Sequence, residues 1–149
     1  MMDFFKKKVT EEQKQVTNEQ MLDHELLKYL KRAGGDTIKI SYGFSTKNLS
    51  TSVEFTFHRH DNGGWVSSDA EVAEGVSIGR NSIIMPDAKI GTKAIIGDFV
   101  VIGTGATIYY GAHIENKAYV GKGATICQFV KVPSNKIVEE NEVWQNCLT

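Results

Sequence analysis

From Val66 to Val138 an aliphatic residue returns at every sixth position without a miss. The series is Val66, Val72, Ile78, Ile84, Ile90, Ile96, Ile102, Ile108, Ile114, Val120, Ile126, Val132 and Val138. Two residues before most of these stands a small or β-branched residue, as at Ala70, Val76, Ser82, Ala88, Ala94, Val100, Ala106, Ala112, Ala118, Ala124 and Val130. A period of six matches neither the spacing of an amphipathic helix nor the alternation of a hairpin. It predicts a chain wound into a three-sided prism, in which six residues make one short strand and one corner and three such units make one coil. Alternate side chains of a strand face opposite ways, so the aliphatic residue and the small residue two before it both point inward. The corners need tight or left-handed backbone, and glycines gather three before the aliphatic position (Gly63, Gly75, Gly105, Gly111, Gly123) and just after it (Gly79, Gly91, Gly97, Gly103, Gly121).

The flanks read differently. Thr10 to Ala33 has helical spacing, with Leu22, Leu26, Tyr29, Leu30 and Ala33 on one stripe and Gly34-Gly35 as a stop. Ile38, Ile40 and Tyr42 mark one alternating strand, and Val53, Phe55 and Phe57 a second, joined by the polar stretch Ser45 to Ser52 as a hairpin. The end of a stacked-strand prism leaves open edges and core, which repeat proteins cover. The expected architecture is therefore all-β, a parallel β-helix of about four coils over residues 63–138. A small α+β cap of helix and hairpin over residues 1–62 precedes it. The hairpin's apolar face is expected against the preceding helix or the open first coil. Residues 139–149, with Trp144 and Leu148, are expected to close the far end.

Because the phase never slips, each outward position falls on one of three faces. The first face carries Trp65, Ile83, Val101, Tyr119 and Ile137, flanked by Met85 and Phe99. The second carries Glu71, Lys89, Thr107 and Thr125, and the third Ser77, Ile95, His113 and Lys131. Only the first is an unbroken apolar ladder, about 19 Å tall at strand spacing. A contiguous apolar stripe on a surface points to self-association in a closed cyclic assembly, unless the chain's own helix covers it.

The pattern aliphatic–Gly–x–x–small–x, carried by Ile78-Gly79, Ile90-Gly91, Ile96-Gly97, Ile102-Gly103 and Val120-Gly121, resembles the hexapeptide-repeat family. That family comprises left-handed parallel β-helices, among them acyltransferases and γ-class carbonic anhydrases. The resemblance covers about half the chain. It implies the left hand of the coil and a threefold axis, hence a homotrimer with Trp65, Ile83, Met85, Phe99, Val101, Tyr119 and Ile137 at the interface. It also implies where chemistry would sit, on a histidine near a subunit boundary. His113 is the single histidine of the repeats. Its segment Gly111-Ala112-His113-Ile114-Glu115-Asn116 resembles the His-Ile-Ala-His stretch of the lipid A acyltransferases, with Asn116 where their catalytic histidine stands. Tyr109, Tyr110, Glu115, Asn116, Cys127, Gln128 and Lys131 surround it as candidate binding residues, with Ile95 and Lys131 stacked on the same ladder. One histidine cannot supply the three ligands of a carbonic anhydrase zinc. Val132-Pro133-Ser134-Asn135-Lys136-Ile137-Val138 resembles the last coil of coenzyme-A-dependent acetyltransferases, but the following Glu139-Glu140-Asn141-Glu142 brings carboxylates that repel a phosphate-bearing cofactor.

Composition changes this picture little. The 149 residues carry a net charge of −1 with scattered Lys and Arg, which offers no track for nucleic acid. No apolar run is long enough for a membrane span or a signal peptide, and the two cysteines, Cys127 and Cys147, lack metal spacing; a cytoplasmic setting with free thiols is expected. Two functions are drawn from these residues. The first is a non-catalytic trimeric scaffold or binding protein, without cofactor, presenting its cap and outer faces to a protein partner. The alternative is an acyltransferase using acyl-CoA or acyl-carrier protein with His113 as general base.

Overall fold

The computed structural model describes Leu30 and residues 35–45, 50–60 and 63–145. The helix expected over Thr10–Ala33 lies outside these residues except for Leu30, which is helical and buried. Cys147 and Leu148 lie outside them as well.

β1 (Thr37–Ser45) and β2 (Ser50–Arg59) form the expected antiparallel hairpin. β3 (Trp65–Ser67) pairs with β2, and from there two-residue strands recur every six residues. They sort by threes into parallel stacks. The first runs β3, β6 (Ile83–Ile84), β9 (Val101–Ile102), β12 (Tyr119–Val120) and β15 (Ile137–Val138), with the hairpin extending its upper edge to seven strands. The second runs β4 (Glu71–Val72), β7 (Lys89–Ile90), β10 (Thr107–Ile108), β13 (Thr125–Ile126) and β16 (Val143–Trp144). The third runs β5 (Ser77–Ile78), β8 (Ile95–Ile96), β11 (His113–Ile114) and β14 (Lys131–Val132). The chain is a β-solenoid of about four turns.

Stacking follows the phase read from the sequence. Ile90 pairs with Ile108 and Ile108 with Ile126, while Ile78, Ile96, Ile114 and Val132 form the equivalent column on the third side. These residues, with Ala88, Ala94, Ala106, Ala112, Ala118 and Ala124, make one continuous interior. Each coil buries three aliphatic side chains, each worth about 1.5–3 kcal/mol relative to exposure.

The corners are set by the coil and only partly by residue type. From Gly75 to Asn141 the residue three before each core position has positive φ at every hexad, glycine or not; Asn81, Asp87, Lys93, Phe99, Lys117, Phe129 and Asn135 all adopt it. Close approach governs the glycine after the aliphatic residue. A Cβ on Gly97 would lie 2.4 Å from Asn116 Oδ1 and 2.9 Å from the Asn116 backbone nitrogen in the next coil. Gly97→Ala is therefore expected to cost about 1–3 kcal/mol by forcing two coils apart, which a urea unfolding midpoint at unchanged slope will report.

Of the two surfaces expected for the hairpin's apolar face, the preceding helix is met through Leu30, its one described residue, and the open first coil is not. Because β2 pairs with β3, that face continues the outward face of the first stack, and Ile40, Phe55 and Phe57 gather with Leu30, Trp65, Ile83 and Met85 in a second core. Trp65, Ile83 and Met85, expected at a subunit interface, are buried inside the chain by its own cap. At the other end the repeat runs one unit past Val138: β16 pairs with β13, and Trp144 stacks on Ile126 in the aliphatic phase. A partly buried indole closes the column, with Lys136 Nζ 5.7 Å from its ring centroid. The prism thus extends into the stretch expected to be a capping tail.

Candidate functional site

The third stack presents Ile95, His113 and Lys131 one above another on its outer side, as the register requires. His113 is half-buried. Glu115, two residues on, faces the same neighbours: Lys131 Nζ lies 3.1 Å from Glu115 Oε2, and the Ser134 backbone N–H donates to Glu115 Oε1 at 3.3 Å. The hydrogen bond from Lys131 is the main cause that holds the Glu115 carboxyl below its ordinary range, opposed by desolvation and helped by the charge of Lys131, the Ser134 N–H and His113. A depressed carboxylate contributes stability that is complete above the free-glutamate pKa of about 4.3 and fades as pH falls through the lowered value. A carboxyl titration followed by NMR should place Glu115 below free glutamate, and Lys131→Met should move it back up.

The corner leading into this face is aromatic. The Phe129 ring lies over Gly111, where a Cβ would come within 2.7 Å of it, and meets Tyr110 edge-on with centroids 5.4 Å apart. Phe129 is 64 % exposed at φ 60°, a conformation that costs a bulky L-residue about 1–2 kcal/mol. Tyr109, Tyr110 and Gln128 are exposed beside it. Cys127 is half-buried, packs against the prism core and has a free thiol.

The structure therefore brings His113, Glu115 and Lys131 together, and sets Tyr109, Tyr110 and Phe129 as a separate aromatic edge of the same face. Asn116 takes another role. Its Oδ1 accepts the Asp98 backbone N–H at 2.9 Å, just as Asp98 Oδ1 accepts the Arg80 N–H at 2.9 Å one coil earlier. These side chains form a ladder that ties corner to corner. The signal for Phe129 in the sequence is its place three before Val132, which marks it as a corner. On the hairpin, the His58 ring nitrogen Nε2 and Ser68 Oγ are 2.7 Å apart, so this imidazole cross-links β2 to the turn after β3. Arg59 lies 4.0 Å over the Trp65 ring, held by the carbonyls of Gly35 and Gly63.

Two shallow grooves lie elsewhere. One of about 560 Å³ on the second face is lined by Glu71, Lys89, Thr107 and Tyr109. The other, of about 550 Å³, runs where Leu30 meets the first face, between Arg59, Trp65, Ile83, Phe99 and Val101. His113 lines neither. Among the described residues no group of three or more His, Cys, Asp or Glu is arranged to hold a metal ion, and no helix is long and apolar enough to cross a membrane.

Residues 69–104 match the family described as bacterial transferase hexapeptide (six repeats). Those residues carry hexapeptide repeats, within the β-solenoid. Among solved structures, the chain is similar to the acetyltransferase domain of PglB from Neisseria gonorrhoeae FA1090. The identity is 18% and the TM-score 0.42, over 53% of this chain and 44% of that one. The same domain in complex with acetyl coenzyme A aligns at 21% identity and a TM-score of 0.30, over 52% of this chain and 54% of that one. The chain thus spans about half the length of the solved chains it matches. No curated protein matches it.

Proposed function

We propose that this β-helix is a trimeric scaffold that assembles through its first face and offers its hairpin cap to a partner, without cofactor. The observation that supports this reading is where the cap stops. Trp65 and Ile83 are covered by the hairpin, but the same ladder continues through Val101 and Tyr119, half-buried, to Ile137, which is 59 % exposed. Phe99, on the corner that joins the third face to the first, is 50 % exposed at φ 58°. The exposed half of this ring extends the apolar surface that the cap leaves open beside Val101 and Tyr119. Closed threefold packing of prisms places one corner at the axis and the two flanking faces against different neighbours. With the Phe99 corner at the axis, the first face of one subunit meets the third face of the next, which carries Ile95 and His113.

One observation favours a second reading. In that packing His113, with the Glu115–Lys131 pair beside it, stands at the subunit boundary, where an imidazole can serve as general base for acyl transfer. The matched repeat family is described as one of bacterial transferases. Thermal unfolding with and without acetyl-CoA separates the two. The scaffold reading expects no rise in Tm and no thiol release with amine or hydroxyl acceptors. A rise that His113→Ala abolishes would establish the enzyme instead.

A further inference from the structure

We infer that β1 is a second self-association surface, pairing antiparallel with β1 of another copy about a twofold axis through Ser41. β1 is nine residues long and has one strand neighbour among the described residues, β2. The Arg59 N–H donates to the Asp36 carbonyl at 2.7 Å, which makes 36 and 59 a hydrogen-bonded pair of the register. Alternation then gives the even residues of β1 to β2 and turns the N–H and C=O groups of Thr37, Lys39, Ser41, Gly43 and Ser45 to the outer edge. Sheet edges of this length are normally blunted by several charges, a proline or a bulge. β1 has Lys39 alone, no proline, and unbroken pairing over all nine residues.

The order of residues is what selects a second copy as the occupant. A twofold at Ser41 sets Thr37 opposite Ser45 and Lys39 opposite Gly43, so the one charge on each strand meets a residue without a side chain instead of its twin. At the even positions the twofold sets position 38 opposite 44 and position 40 opposite 42, in the same unbroken register. Ile38 and Ile40 belong to the second core, so the twofold joins the apolar layers of two caps into one. Five facing pairs of outward residues supply about ten backbone hydrogen bonds. This contact is independent of the threefold reading, since it uses the cap edge and leaves Tyr119 and Ile137 untouched.

The test uses the full chain. Ser41→Pro removes one outward N–H while leaving every bond to β2 in place; light scattering should then show half the wild-type mass. Self-cross-linking gives the second measurement, in a Cys127→Ser, Cys147→Ser background. Ser41→Cys places two thiols about 5.5 Å apart between Cα atoms, within disulfide reach, whereas Lys39→Cys leaves them about 14 Å apart. Oxidation should link Ser41→Cys into dimers and leave Lys39→Cys as single chains. An unchanged mass in a folded Ser41→Pro variant, or equal linking of the two cysteine variants, overturns the inference. If Ser41→Pro does not fold, the cysteine comparison decides alone.

Discussion

Ile96→Asp is expected to abolish folding, while Ile95→Asp, even where it weakens the proposed subunit contact, leaves the single subunit folded and its own stability within about 1 kcal/mol of the parent. The two isoleucines are adjacent and identical in chemistry. Ile96 is 1 % exposed in the prism interior and Ile95 is 45 % exposed on its outside. At position 96 the change removes about 1.5–3 kcal/mol of burial and places a carboxylate between Ile78 and Ile114 with no partner, which costs several kcal/mol more. Together these reach the whole stability of a typical domain, about 5–15 kcal/mol. Circular dichroism and a thermal melt of both variants check the result. Equal tolerance at the two positions would mean that the inward phase is misassigned.

The second large effect is at the surface. Ile137→Glu is expected to dissociate the proposed threefold assembly, with the folded subunit's stability changed by no more than about 0.5 kcal/mol. Burying an unpaired carboxylate at a contact costs about 2–5 kcal/mol, which weakens each contact by roughly 30- to 4,000-fold at 1.4 kcal/mol per tenfold. Closure of a ring repeats the loss at all three contacts. Sedimentation velocity should show the mass falling threefold. Thr107→Glu, on the second face, should leave it unchanged.

The prism interior was legible from sequence because one local rule is repeated: each hexad contributes the same two inward positions, and stacking preserves the phase from Val66 to Trp144. What covers the outside was not. The alternation of Ile38, Ile40, Phe55 and Phe57 fixes that the hairpin has an apolar side, but a two-residue period cannot say which surface that side meets. Only the pairing of β2 with β3 directs it onto Trp65 and Ile83, which removes those two and Met85 from any subunit contact. Asn116 shows a second limit. Its place beside His113 in the chain suggests a site residue, whereas its amide oxygen holds the Asp98 backbone N–H one coil away. That bond links residues 18 apart, one full turn, and becomes visible only when corners are compared by column instead of along the chain. The Glu115–Lys131 pair joins that coil to the following one, since Lys131 stacks on His113. The phase places both residues beside His113, but side-chain reach decides which partner the carboxylate takes.

Sedimentation equilibrium of the unmodified chain at micromolar concentration tests the proposed assembly most directly. The account predicts a mass that is a multiple of three 16.5 kDa chains, six if the β1 edges also pair. A monomer or a dimer would contradict it.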